Sequence, residues 1–133
     1  AQFSIKEIDI GMAADVGTLQ RLPRIIGDGM LRELAYTGRQ FGAEEARSIG
    51  LVNRVYADQE SLLAGVMDIA RQIAAKSPIA VTGTKAMISY MRDHTVNDGL
   101  EYVATWNSAM LQSNDLRVAI AAHMSKQKPE FVD

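Results

Sequence analysis

Apolar positions recur at helical spacing over most of the chain. After Asp58, a residue type that caps helix starts, Leu62, Val66, Ile69 and Ile73 step by four, three and four. Ser77-Pro78 ends that run and also reads as the N-cap and first residue of a second helix, with Val81, Thr84, Ile88 and Met91 on one face. Thr95 to Asp98 resembles a capping box that opens a third helix through Leu100, Val103, Asn107, Met110 and Leu111. Asn114 is the expected cap of a last helix reaching about Lys126.

The first sixty residues are more broken. Phe3 and Ile5 alternate, then Ile8 and Ile10 alternate in a slipped phase, which predicts a short, kinked extended piece stopped by Gly11. Gly17-Thr18 leads into Leu19, Leu22, Ile25 and Ile26, a helix with Pro23 opening a turn and Gly27 expected as the closing left-handed residue. Met30 to Tyr36 predicts a short helix ended by Thr37-Gly38. The run FGAEEARSIGLV predicts another, with Glu44 and Glu45 at its dipole-favoured start and Gly50 after its end. LVNRVY is expected as a brief strand. The class predicted is mainly α, about two-thirds helix or more, with short β pieces and no internal repeat.

Composition narrows the function classes. The chain has 133 residues, 47% of them hydrophobic, and a net charge of -2. Fourteen Lys and Arg against sixteen Asp and Glu give no basic excess, so a nucleic-acid footprint is not expected. No apolar run approaches the roughly 20 residues of a membrane span, and no signal-peptide pattern opens the chain, so no membrane partner is expected. With no cysteine and two separated histidines, His94 and His123, no metal site is expected. The seven methionines and Trp106 read as packing residues, and the glycines do not form GxGxxG. The chain enters directly on a strand-like pattern, as if it began inside a domain.

Two carboxylates carry the candidate chemistry. Asp15, just before Gly17-Thr18, reads first as a helix cap; the functional alternative is a general base walled by Met12, Ala13, Ala14 and Val16. Glu7 reads first as a solvated charge. If Ile8 and Ile10 face the core, Glu7 and Asp9 point the other way together. At the other end, Lys126, Lys128 and Phe131 read as a basic helix end, or alternatively as a phosphate and adenine contact.

The stretches KEIDIGMAADVGTLQRLPRIIG, LAYTGRQFGAEEARSIGLVNRVY, IAAKSPIAVTGTKAMI and SNDLRVAIAAHMSKQKPEF resemble successive landmarks of the crotonase family, the enoyl-CoA hydratase/isomerase superfamily. The resemblance covers the whole chain and is greatest to the family's 3,5-dienoyl-CoA isomerases. Hydratases of the family typically hold glycine where Asp15 stands, and proline where Lys6 precedes the glutamate matching Glu7. The resemblance implies Asp15 as the base at C2 of a 3,5-dienoyl-CoA and Glu7 as the acid at C6. It also implies Lys126, Lys128 and Phe131 as contacts to coenzyme A, although Arg117-Val118 replaces a common Glu-Gly pair nearby.

The same resemblance implies the C-terminal half of an α/β crotonase fold, made of its last ββα elements and its trimerisation helices. Residues 1–76 would complete the catalytic core and residues 77–133 would form the helical oligomerisation region of a trimer or hexamer. The substrate implied is an acyl-CoA thioester, with no cofactor apart from the coenzyme A it carries. Oxyanion donors and a third acidic residue are implied upstream of Phe3, so the chain alone is expected to be inactive. The compartment implied is intracellular, mitochondrial or peroxisomal in a eukaryote and cytoplasmic in a bacterium. The alternatives are an enoyl-CoA hydratase and a non-catalytic CoA-binding or assembly module.

Overall fold

The structure, a computed structural model, describes residues 1–132. It divides after Leu62 into two compact units. No helix among the described residues is long and apolar enough to cross a membrane.

The first unit begins with β1 (Gln2–Phe3), which pairs antiparallel with β2 (Phe41–Gly42) in the register Gln2 to Gly42 and Phe3 to Phe41. The Phe3 and Phe41 rings stack with centroids 5.5 Å apart, a cross-strand aromatic pair holding a ladder of minimal length. Between the strands lie a 3-10 turn at Glu7–Ile10, α1 (Thr18–Arg21), a 3-10 turn at Leu22–Arg24 and α2 (Asp28–Thr37); α3 (Ala43–Ser48) follows β2. Ile5, Ala14, Ile26, Leu31, Leu34, Phe41 and Ala46 form the buried core of this unit.

Arg39 ties the unit's helices across β2. Its Nη1 donates to Glu45 Oε2 at 3.1 Å, and its Nε donates to Glu33 Oε1 at 2.9 Å. This fork holds the Glu45 carboxyl below the usual carboxylate range and raises the Arg39 guanidinium.

Several expectations for this unit need correction. Residues 7 to 10 are 3-10 helix rather than extended, because Asp9 N–H reaches Lys6 O at 3.0 Å and Gly11 N–H reaches Ile8 O at 3.2 Å, each a bond three residues long. Gly27 does not close a left-handed turn; it has φ -59° and ψ 149° and stands at the N-cap of α2, which starts at Asp28. LVNRVY forms no strand, since a ladder needs a partner and the sheet contains β1 and β2 alone among the described residues.

α4 (Gln59–Ala74) links the units. It starts where expected, on Asp58, whose Oδ1 accepts from Ser61 N–H at 2.7 Å. The second unit continues with α5 (Pro78–Tyr90), α6 (Val96–Met110) and α7 (Asn114–Met124). The Thr95/Asp98 capping box is present in full. Ser77 caps α5 through Ala80 N–H at 3.2 Å and also donates to the buried Asp115 carboxylate, joining the starts of α5 and α7. The α7 cap is Ser113, one residue before the expected Asn114.

The face α6 turns toward α5 differs from the apolar stripe read in the sequence. Gly99, Tyr102, Trp106 and Met110 are its least exposed residues, while Leu100 and Val103 are exposed. Gly83 on α5 explains the choice: a Cβ there would stand 2.6 Å from Trp106 Nε1, so the glycine is the recess into which the indole packs. α4 has no buried residue, and a groove of about 800 Å³ lies beside it, floored by Ile69, Ile73, Val81 and Ile88.

Candidate functional site

Glu7 and Asp15 lie on one loop of the first unit, and each follows a core anchor. Ile5, two residues before Glu7, and Ala14, directly before Asp15, are both buried with Ile26, Leu31 and Leu34. Burying these two side chains in one core draws the ends of the intervening loop onto the same support. Within it, the 3-10 turn presents Glu7 at its first position. Gly11 ends the turn at φ +75°, a conformation favouring glycine, with its N–H on Ile8 O at 3.2 Å.

The burial pattern reverses the sequence expectation. Ile8 is 44% exposed and Ile10 73% exposed, whereas Glu7 is half-buried. A 3-10 turn advances about 120° per residue, so alternate residues do not share a face as they would on a strand. The acid therefore turns inward while Ile8, Ile10, Met12 and Val16 form an exposed apolar rim around the loop.

Asp15 is exposed and does not cap α1. The N-cap is Gly17 at φ +90°, with no side-chain capping bond, which removes the capping reading of Asp15. Among the described residues no hydrogen bond or ion pair occupies its carboxylate, leaving it available to a ligand. Arg21 folds back over Gly17, its Nη1 donating to Val16 O at 3.3 Å, so a guanidinium stands beside the loop without pairing Asp15.

Asp9, the third carboxylate of the loop, is paired with Lys6 Nζ at 2.9 Å. Behind it stands Gly38, the left-handed residue after α2, against which the 3-10 turn rests. The sequence marked Gly38 as a helix end and carried no sign of this second contact, because its partner lies some thirty residues earlier.

Lys126, Lys128 and Phe131 belong to the second unit. Lys126 has φ +55°, occupying the position past α7 where glycine is usual. Its N–H reaches His123 O at 3.2 Å and Gln127 N–H reaches Ala122 O at 2.9 Å, the paired bonds of a Schellman close. Lys126 and Lys128 are exposed and Phe131 is half-buried. No group of three or more His, Asp or Glu side chains is placed to hold a metal ion among the described residues.

Comparison with known proteins gives consistent results. The enoyl-CoA hydratase/isomerase family model matches residues 1–133. The chain is 53% identical over 131 residues to the peroxisomal Δ(3,5)-Δ(2,4)-dienoyl-CoA isomerase of Arabidopsis thaliana, covering 98% of this chain and 47% of that protein. It is 47% identical over 133 residues to the mitochondrial Δ(3,5)-Δ(2,4)-dienoyl-CoA isomerase of Rattus norvegicus, covering 99% of this chain and 41% of that protein. In structure it is similar to an enoyl-CoA hydratase from Bacillus anthracis, with a TM-score of 0.93 and 32% identity over 98% of this chain and 50% of the other. The chain thus spans about half the length of the relatives it matches.

Proposed function

The chain belongs to the enoyl-CoA hydratase/isomerase family, and from that membership we propose that the protein carrying it is an isomerase of fatty-acid β-oxidation that converts 3,5-dienoyl-CoA to 2,4-dienoyl-CoA. The observation that carries this reading is the pair Glu7 and Asp15 on one core-anchored loop, in a chain 53% identical to a dienoyl-CoA isomerase.

The two roles follow from the chemistry. The C2 proton of a 3,5-dienoyl thioester is acidified by the carbonyl, and Asp15, exposed and uncommitted, removes it. The electron pair left at C2 delocalises as a dienolate through C3 to C6. Protonation at C6 by Glu7 leaves double bonds at C2 and C4, so one proton is lost, one is gained and no electron is transferred. Such a step needs neither a redox group nor a metal, and coenzyme A enters as part of the substrate. The exposed Ile8, Ile10, Met12 and Val16 supply an apolar rim suited to an acyl chain.

Lys126 and Lys128 are proposed as partners of the coenzyme A phosphates, with Phe131 beside the adenine. The uncovered apolar residues of α4 to α6 support a homo-oligomer, a trimer or hexamer by family resemblance, with residues 77–133 as the oligomerisation region and 1–76 as the end of the catalytic core. The compartment proposed is mitochondrial or peroxisomal for a eukaryotic source, as the relatives' names indicate, and cytoplasmic for a bacterial one.

Turnover by the full-length protein of a 3,5-dienoyl-CoA against a 2-enoyl-CoA tests the reading. Faster turnover of the dienoyl thioester is expected. Preference for hydrating the 2-enoyl thioester would replace the isomerase with a hydratase.

A further inference from the structure

Among the described residues four glycines have left-handed backbones, Gly11, Gly17, Gly38 and Gly50, but their surroundings differ. A Cβ added at Gly11 would meet nothing within 4 Å, and one at Gly50 would meet only Ile25 O at 3.4 Å. At Gly17 the neighbour is the guanidinium at the far end of the long Arg21 side chain, which can swing away from an added carbon. At Gly38 a Cβ would stand 2.9 Å from Asp9 Oδ1, 3.0 Å from Ile8 Cγ2 and 3.3 Å from Asp9 Cγ, all on the 3-10 turn that begins with Glu7. Gly11, Gly17 and Gly50 answer a backbone need, whereas Gly38 also makes room for the turn.

We infer that Gly38 is a positioning residue for Glu7: the missing side chain at the end of α2 is the seat on which the 3-10 turn closes, and it fixes how far the Glu7 carboxyl reaches toward the far end of the substrate. An added methyl group meets the turn at two side chains, Ile8 and Asp9. Asp9 is held by Lys6 through its other oxygen at 2.9 Å, so swinging the carboxylate aside breaks that pair. Ile8 and Glu7 are tied into the turn by Gly11 N–H on Ile8 O and Met12 N–H on Glu7 O. Relief therefore comes by lifting the turn as a body, Glu7 with it. Asp15 stands outside this contact, beyond Ala14, whose side chain is locked in the core. The seat thus acts on one carboxylate of the pair, the proposed acid at C6, and leaves the proposed base at C2 where it is.

This inference rests on the proposed role of Glu7, and a split between two half-reactions tests it in the full-length protein. Exchange of the C2 proton with D₂O reads the base, and formation of the conjugated 2,4-dienoyl product reads the whole reaction. Gly38→Ala is expected to lower product formation by about 10- to 100-fold, the effect of a displacement below about 1 Å, while C2 exchange stays within about twofold and KM is unchanged. Gly50→Ala, which imposes a similar left-handed strain away from the loop, is expected to keep both half-reactions. Gly38→Ala combined with Asp9→Ala, which removes the nearest obstructing atoms, is expected to recover product formation.

Amide exchange on the 133-residue chain gives a readout independent of activity: Gly11 and Met12 lose protection in Gly38→Ala and keep it in Gly50→Ala. Equal loss of exchange and product in Gly38→Ala, or undiminished product, overturns the seat. Loss of product in Glu7→Gln while Gly38→Ala remains active overturns the seat alone. Normal product formation in Glu7→Gln overturns the role of Glu7, and the seat with it.

Discussion

Leu34→Ala should strongly destabilise the support beneath both carboxylates. Leu34 is fully buried on α2, within the core that also holds Ile5 and Ala14. Truncation removes three carbons from that core, a transfer loss of about 2 kcal/mol at roughly 0.8 kcal/mol per buried carbon. Incomplete collapse around the void adds about 1–2 kcal/mol, which puts the expected loss at about 3–4 kcal/mol, inside the usual range of about 2–5. A unit running from Ala1 to Leu62, at about 0.05–0.15 kcal/mol per residue, has about 3–9 kcal/mol in all, so the loss takes a third of it or more. Urea denaturation of the chain followed by far-UV circular dichroism measures the change, with Leu63→Ala, whose residue is 56% exposed, as the comparison. Leu63→Ala is expected to lose less than about 1 kcal/mol. A Leu34→Ala loss no larger than that of Leu63→Ala would refute the assignment of Leu34 to the support of the loop.

Three further perturbations address the second unit. Gly83→Ala drives a methyl group against Trp106 Nε1 and should cost about 1–3 kcal/mol, with a red shift of Trp106 emission; an unshifted spectrum and unchanged midpoint would contradict the recess. His94 stacks on Tyr90 and shares its Nδ1–H between Tyr90 O and Asp93, and the Tyr90 bond, followed by Asp93, raises the imidazole above its ordinary 6.5. Because the protonated form is favoured in the fold, its stabilisation is complete below 6.5 and fades as pH rises through the raised value. His94→Asn should therefore flatten that limb of a plot of Tm against pH, and an unchanged slope would remove His94 as its source. In the full-length protein, Lys128→Ala should raise KM several-fold at constant kcat, and an unchanged KM would remove the terminus from the proposed coenzyme A contact.

What could be read from the sequence was chemistry closed within a few residues. Thr95 with Asp98, Ser77 with Pro78, and Asp58 before α4 each satisfy backbone donors three positions away, so their partners are visible in order along the chain. The face of α6 was not legible, because it is selected by Gly83 on another helix rather than by the larger hydrophobic residues on α6 itself. LVNRVY has the composition of a strand, yet a ladder depends on a partner that local pattern does not reveal.

At the site, residue identity and conformation separated. Family resemblance singled out Glu7 and Asp15, while alternation put Glu7 on a strand and the place of Asp15 before Gly17-Thr18 made it a cap. The 3-10 turn inverted the first expectation, and Gly17 at the N-cap removed the second. The contact of Gly38 with Asp9 and Ile8 had no local signature at all.

The central claim is that Asp15 takes the C2 proton, and C2 deuterium exchange by Asp15→Asn in the full-length protein tests it most directly. Exchange should fall by about 10²- to 10⁴-fold, the usual contribution of a general base, with thioester binding little changed. Exchange at the rate of the unsubstituted protein would contradict the two-carboxylate mechanism.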